Sequence, residues 1–212
     1  MRTIVFDLDG TLADTAADLL AAANAVLPRA VLGPADAVTA GQGGRAMLRL
    51  GYQRLGLAGE IERDYPRLLA AYAEGICVQT TLYPGAVAAV EVLRGMGCAT
   101  AICTNKPEAL AVELVRRLGV SDLFGALVGA DTLPVRKPDP APYHLAVARA
   151  GGGRSLLIGD TDTDRQTARA AGVPVVLVTF GPEGHAVARW QPEALLHHFE
   201  ALPDLVARLL GD

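Results

Sequence analysis

The sequence predicts an α/β protein, a doubly wound parallel sheet with a small all-helical domain inserted after its first strand. Three observations carry this. Short apolar runs alternate with helix-period segments from residue 83 onward; the first such run stands apart from the others; and the segment between is helical throughout.

Thr3-Ile4-Val5-Phe6 is β-branched and aromatic and stops at Asp7, so it reads as a buried strand opening into the loop Asp7-Leu8-Asp9-Gly10-Thr11. From Thr15 the period changes. Leu19, Leu20, Ala23, Val26 and Leu27 recur at helical spacing until Pro28, and two more helical patterns follow, Arg45 to Leu55 and Glu60 to Gly75. Beyond Tyr83-Pro84-Gly85 the expected order is helix to Met96, strand Ala99 to Cys103, helix Pro107 to Leu118, and strand Ala126 to Val128. Helix Pro140 to Ala150, strand Ser155 to Ile158, helix Asp164 to Ala171, strand Val175 to Val178 and a last helix from Leu202 complete it. Parallel strands joined by helices of this length form an open, Rossmann-like core. The expected division is residues 1–14 with 82–212 for that core and residues 15–81 for the insertion.

Composition excludes several classes of function. The chain has 212 residues with 19 Lys+Arg against 23 Asp+Glu, a formal charge of −4, and no basic block, so nucleic acid is not an expected partner. At 51% hydrophobic and 20% charged residues it has the composition of a folded domain with a true core. The longest apolar stretch, Ala171 to Phe180, is interrupted by Pro174 and falls short of the ~18 residues that span a bilayer, so neither a transmembrane helix nor a membrane partner is expected. Asp7 and Asp9 interrupt the apolar run near the N-terminus, so no secretory signal is expected either. Cys77, Cys98 and Cys103 lack paired metal-ligand spacing, which fits a reducing cytoplasm.

Polar residues follow four successive apolar runs: Asp7 and Asp9, Thr104-Asn105-Lys106, Lys137, and Asp160 to Asp164. In an open parallel sheet these ends share one edge, where ligands bind. Carboxylates gathered there repel one another unless a cation shares the space, and a hard divalent ion such as Mg²⁺ with oxygen ligands resolves the conflict. Taken singly, each residue has a blander reading. Thr104 reads as an N-cap or loop hydroxyl, Lys137 as a solvated lysine, and Asp160 to Asp164 as partly a helix cap with Asp162 turned away. The four fixed letters of Asp-x-Asp-Gly-Thr, however, coincide by chance only roughly once per 10⁵ positions.

With Asp7-Leu8-Asp9-Gly10-Thr11-Leu12, Thr104-Asn105-Lys106-Pro107, Arg136-Lys137-Pro138-Asp139-Pro140 and Gly159-Asp160-Thr161-Asp162-Thr163-Asp164 in that order, the chain resembles the haloacid dehalogenase superfamily of phosphatases. Within it, the chain looks most like the phosphoglycolate phosphatases. The resemblance implies a small helical cap over residues 15–81 and an Mg²⁺-dependent phosphomonoester hydrolase that passes through an aspartyl-phosphate. Asp7 is then the nucleophile, Asp9 the proton carrier, and Lys137 a positive charge at the reacting group. Gly10, Thr104, Asn105 and Lys137 bind the phosphoryl oxygens; Asp7, Asp160 and the backbone carbonyl of Asp9 hold the metal; and Asp164 supports them from behind. The expected partner is a small phosphorylated metabolite, with the protein a monomer or homodimer.

In the cap, Gly43, Gly44 and Arg45 form the candidate specificity loop, with Arg45 either meeting a substrate carboxylate or simply solvated at a helix start. Lys106 either contacts substrate or supports its loop electrostatically. The rival readings are a phosphosugar mutase of the β-phosphoglucomutase type, a receiver-like signalling module, and a catalytically idle interaction protein.

Overall fold

The protein is described by a computed structural model over residues 1–211. In chain order the elements are β1 (Arg2–Phe6), β2 (Ala13–Asp14), α1 (Ala16–Val26), α2 (Ala37–Gly41), α3 (Gly44–Leu55), α4 (Ile61–Glu74), β3 (Thr81–Leu82) and α5 (Ala86–Gly95). They continue with β4 (Cys98–Cys103), α6 (Glu108–Arg117), β5 (Ala126–Val128), α7 (Ala141–Ala150), β6 (Arg154–Gly159), α8 (Asp162–Ala171), β7 (Val175–Val178), β8 (Ala194–Leu196) and α9 (Leu202–Leu210). The chain forms two compact units, Met1–Ala13 with Leu82–Asp212, and Asp14–Thr81.

The first unit is built on a six-stranded sheet of order β5-β4-β1-β6-β7-β8. Every pairing in it is parallel. The apolar run of β1 takes the centre, since Ile4, Val5 and Phe6 have no exposed surface and a strand covered on both faces must be apolar throughout. Val5 lies opposite Ala101 of β4 and Leu157 of β6. Tyr143 and Ala146 of α7 and Ala168 of α8 pack with Val5, Leu157 and Leu177 in the core. Because β1 is flanked by β4 on one side and β6 on the other, the loops after these three strands open at the same place.

This unit has features outside the sequence expectation. β8 closes the sheet beside β7, with Ala194 opposite Val176. It has only three residues, too few to show a period. α8 begins at Asp162, ahead of the expected Asp164, because the Asp164 carboxylate reaches back to the backbone N–H and hydroxyl of Thr161 and stabilises an earlier first turn.

In the second unit α1 packs on α3 and α4, burying Leu19, Leu20, Ala23 and Val26. The short α2 and a 3₁₀ turn at Pro34–Asp36 join α1 to α3. Asp18 is buried on α1, where it accepts the N–H groups of Val78, Gln79 and Thr80 and the Thr80 hydroxyl at 2.7–3.0 Å. The start of α1 is thereby tied to the segment by which the chain leaves this unit. Among the described residues no helix is long and apolar enough to cross a membrane.

Candidate active site

The site grows from the ends of β1, β4 and β6. Asp7 follows the last residue of β1 and still donates its N–H to Ile158 O at 2.9 Å, so its backbone is as fixed as the sheet. The chain then turns through Gly10, which has φ of 78°, and the Gly10 N–H closes on Ala13 O at 2.9 Å. Glycine is required here twice over, because a Cβ at this position would also lie 2.3 Å from Asp160 Oδ2.

At the end of β4, Thr104 donates its N–H to Val128 O and its hydroxyl oxygen accepts the Lys106 N–H at 3.2 Å. Asn105 donates its side-chain amide to Lys137 O at 3.0 Å and so holds the lysine's loop. The Lys137–Pro138 peptide is cis. Lys137 reaches the centre of the cluster, with its buried Nζ 3.0 Å from Asp7 Oδ1 and 2.6 Å from Asp164 Oδ1.

At the end of β6, Asp160 Oδ1 accepts the Thr11 hydroxyl at 2.8 Å. Asp164 has both oxygens engaged: Oδ1 by Lys137, and Oδ2 by the Thr161 hydroxyl and the Asp160 and Thr161 N–H groups. Gly159 makes room for it, since a Cβ there would fall 2.3 Å from Asp164 Cγ. Asp162 lies apart from this cluster and hydrogen-bonds Gln166 on the next turn of α8.

Carboxylate oxygens of Asp7, Asp160 and Asp164 all lie within 4.8 Å of one another, and the three residues are buried. Burial pushes the Asp7 carboxyl up to about 6; Asp164 and Asp9 reinforce the rise, against the opposing charge of Lys137. Asp160 is raised well above its ordinary value by burial, then by Asp164 and Asp7. Burial lowers Lys137, but Asp164 and Asp7 outweigh it and hold the ammonium above its ordinary value. Among the described residues, the buried side-chain oxygens without a hydrogen-bond partner are Asp7 Oδ1, Asp9 Oδ1 and Asp160 Oδ2.

Asp160 Oδ2 has no partner, while Asp7 Oδ1 and Asp9 Oδ1 each face a lysine ammonium at 3.0 Å without a hydrogen bond; buried carboxylate oxygens crowded in this way are a donor set that suits a hard divalent cation. Asp160 offers a free oxygen and Asp7 one that faces only the Lys137 charge, whereas both oxygens of Asp164 are hydrogen-bonded by protein groups.

The structure therefore brings Asp7, Asp9, Gly10, Thr104, Asn105, Lys106, Lys137, Asp160 and Asp164 to one edge of one unit. Within that group the Gly10 N–H and the Asn105 side-chain amide are committed to Ala13 O and Lys137 O. Lys106 is paired with Asp9 at 3.0 Å. Gly43, Gly44 and Arg45 belong to the second unit. There Arg45 makes a two-pronged pair with Glu62 at 2.8 and 2.9 Å and lies 3.7 Å over the Tyr65 ring. Sequence reasoning gave no role to Thr11, Gly159 or Thr161. Thr11 stood inside the quoted motif, and its hydroxyl next to a carboxylate cluster was the available signal.

A family model for haloacid dehalogenase-like hydrolases matches residues 1–172. A phosphoglycolate phosphatase of Mesorhizobium japonicum is 40% identical, over 98% of this chain and 96% of its own length. One from Cereibacter sphaeroides is 36% identical over 100% of both chains. Among solved structures, a predicted phosphoglycolate phosphatase from Haemophilus somnus superposes with a TM-score of 0.83 at 25% identity, covering 96% of this chain and 97% of that one. With its motifs set around one buried acidic cluster and relatives along its whole length, the chain belongs to the haloacid dehalogenase-like hydrolase family.

Proposed function

We propose that this phosphatase hydrolyses a small phosphorylated metabolite with Mg²⁺ through an aspartyl-phosphate, phosphoglycolate being the leading substrate. The observation that carries the reading is the buried trio Asp7, Asp160 and Asp164 around one lysine, with one oxygen of Asp160 left without a partner. Mg²⁺, held by Asp7, Asp160 and the backbone carbonyl of Asp9, supplies the positive charge that lets an anion approach a phosphate dianion.

The chain's own residues do the rest. Asp7 attacks phosphorus as the ester P–O bond breaks, and Asp9 gives its proton to the departing alkoxide. Asp9 then takes a proton from the water that attacks the aspartyl-phosphate, which frees phosphate and restores the Asp7 carboxylate. Lys137 offsets the charge on the phosphoryl group, and the Thr104 hydroxyl binds one of its oxygens. Gly10 and Asn105 serve phosphate binding indirectly, by shaping the two loops. Asp164 holds Lys137. The helical unit is the cap that selects the leaving group. Its Gly43 and Gly44 permit close backbone approach, and Arg45 exchanges Glu62 for the substrate carboxylate. A cytoplasmic monomer or homodimer completes the proposal.

The test is phosphate release from phosphoglycolate, sugar phosphates, nucleotides and pyrophosphate, with and without Mg²⁺. Release that needs Mg²⁺ and is fastest on phosphoglycolate is expected. Absence of release from every ester would sink the hydrolase reading, and isomerised sugar phosphate without free phosphate would point to a mutase. Asp7→Asn should abolish covalent phosphoryl labelling; a label that persists would remove Asp7 as nucleophile.

A further inference from the structure

The sheet edge holds two buried lysines, and each is paired with different acids. Lys137 takes Asp7 and Asp164, while Lys106 Nζ stands 3.0 Å from Asp9 Oδ1. We propose that Lys106 is a positioning residue: it holds the Asp9 carboxyl group in place for proton transfer and does not itself bind substrate. The proposal rests on the reading of Asp9 as proton carrier.

Three observations support it. The root of Lys106 is fixed on both sides, its N–H donating to Thr104 Oγ1 at 3.2 Å and its carbonyl accepting the Ala130 N–H at 2.9 Å. A lysine so anchored, with 3% of its side chain exposed, can impose a position on its partner. Asp9, by contrast, lies on the loop after β1 with its side chain 19% exposed, so the lysine is the fixed charge against which its carboxyl group is placed. Finally, Asp9 Oδ1 has no hydrogen-bond partner although the ammonium is close. The contact is one of charge, lying off the hydrogen-bonding direction. A group that must meet first the leaving oxygen and then a water needs a fixed place.

The leaving group provides the test. Expelling an alkoxide requires a proton, whereas expelling p-nitrophenolate hardly does, so kcat/KM on a neutral alkyl phosphate and on p-nitrophenyl phosphate respond differently to the loss of a proton donor. Neutral esters remove any contribution from a substrate carboxylate, and the ratio of the two kcat/KM values in one sample is independent of the fraction folded.

In Lys106→Met and Lys106→Gln the alkyl-to-aryl ratio should fall about tenfold or more, part of the ~10²–10⁴ that a positioned acid contributes. Asp9→Asn should lower the ratio further, and adding Lys106→Met to it should change the ratio no more. If both esters fall together in the Lys106 variants while Asp9→Asn still separates them, Lys106 is a structural or phosphate-binding residue and the proposal is wrong. If Asp9→Asn fails to separate them, the reading of Asp9 falls, and the role of Lys106 with it.

Discussion

Thr11 donates its hydroxyl hydrogen to Asp160 Oδ1 at 2.8 Å, a buried bond between residues 149 positions apart. It occupies one oxygen of the carboxylate and leaves Oδ2 orphaned beside Gly10, where only a glycine fits. Half of Asp160 is thus assigned to the protein and half to whatever occupies the site.

Thr11→Val keeps the shape and removes the hydrogen bond. Apparent Mg²⁺ affinity should fall ~10–100-fold, as for other groups that orient a metal ligand. The unpaired buried oxygen should also cost about 1–3 kcal/mol of stability. Mg²⁺ titration of turnover and denaturant melts read the two effects separately.

Stability without metal should fall as pH rises toward 6. Asp7 has its carboxyl raised from 3.8 to about 6, so between those values the folded protein binds more protons than the unfolded chain. That proton excess makes unfolding easier with each step up in pH across the window, the opposite of a salt-bridged carboxylate. Asp160, shifted in the same direction, adds to the effect. A cation bound by the ionised forms reverses it, so the gain in thermal midpoint from Mg²⁺ over EDTA should be small near pH 4–5 and large at pH 7.5. An equal gain at every pH would remove these two carboxylates as the metal's holders.

Gly159→Ala places a methyl group 2.3 Å from Asp164 Cγ. Overpacking of this kind costs about 1–3 kcal/mol. Here it also displaces Asp164 from Lys137, so turnover should drop by more than the loss of folded protein explains. Gly95→Ala, where the added carbon meets nothing within 4 Å, is the control and should be neutral or slightly stabilising.

Arg45→Ala should leave p-nitrophenyl phosphate turnover nearly intact and sharply raise KM for phosphoglycolate. The pair it breaks with Glu62 has side chains 32% and 72% exposed, so the stability change should be only ~0–1 kcal/mol. Equal loss on both esters would return Arg45 to the role of a cap-stabilising residue.

Much of the sheet and its chemical edge was legible because the signals are local. A short β-branched and aromatic run such as Thr3 to Phe6 suits a strand covered on both faces, and Asp7 marks where that cover ends. β8 was not legible, because its three residues form a strand only where β7 offers a free edge. The same holds for the early start of α8, which depends on where the Asp164 carboxylate is turned.

The sequence by itself determined which residues could do chemistry and that they follow successive strands. Only the tertiary structure decided the partnerships: Lys137 between Asp7 and Asp164, Lys106 on Asp9, Thr11 on Asp160, Arg45 on Glu62. The reason is physical. An ion pair depends on distances of a few ångströms between loops carried by different strands, and those distances are set by strand order, register and the absence of a Cβ at Gly10 and Gly159, none of which leaves a periodic trace in the chain.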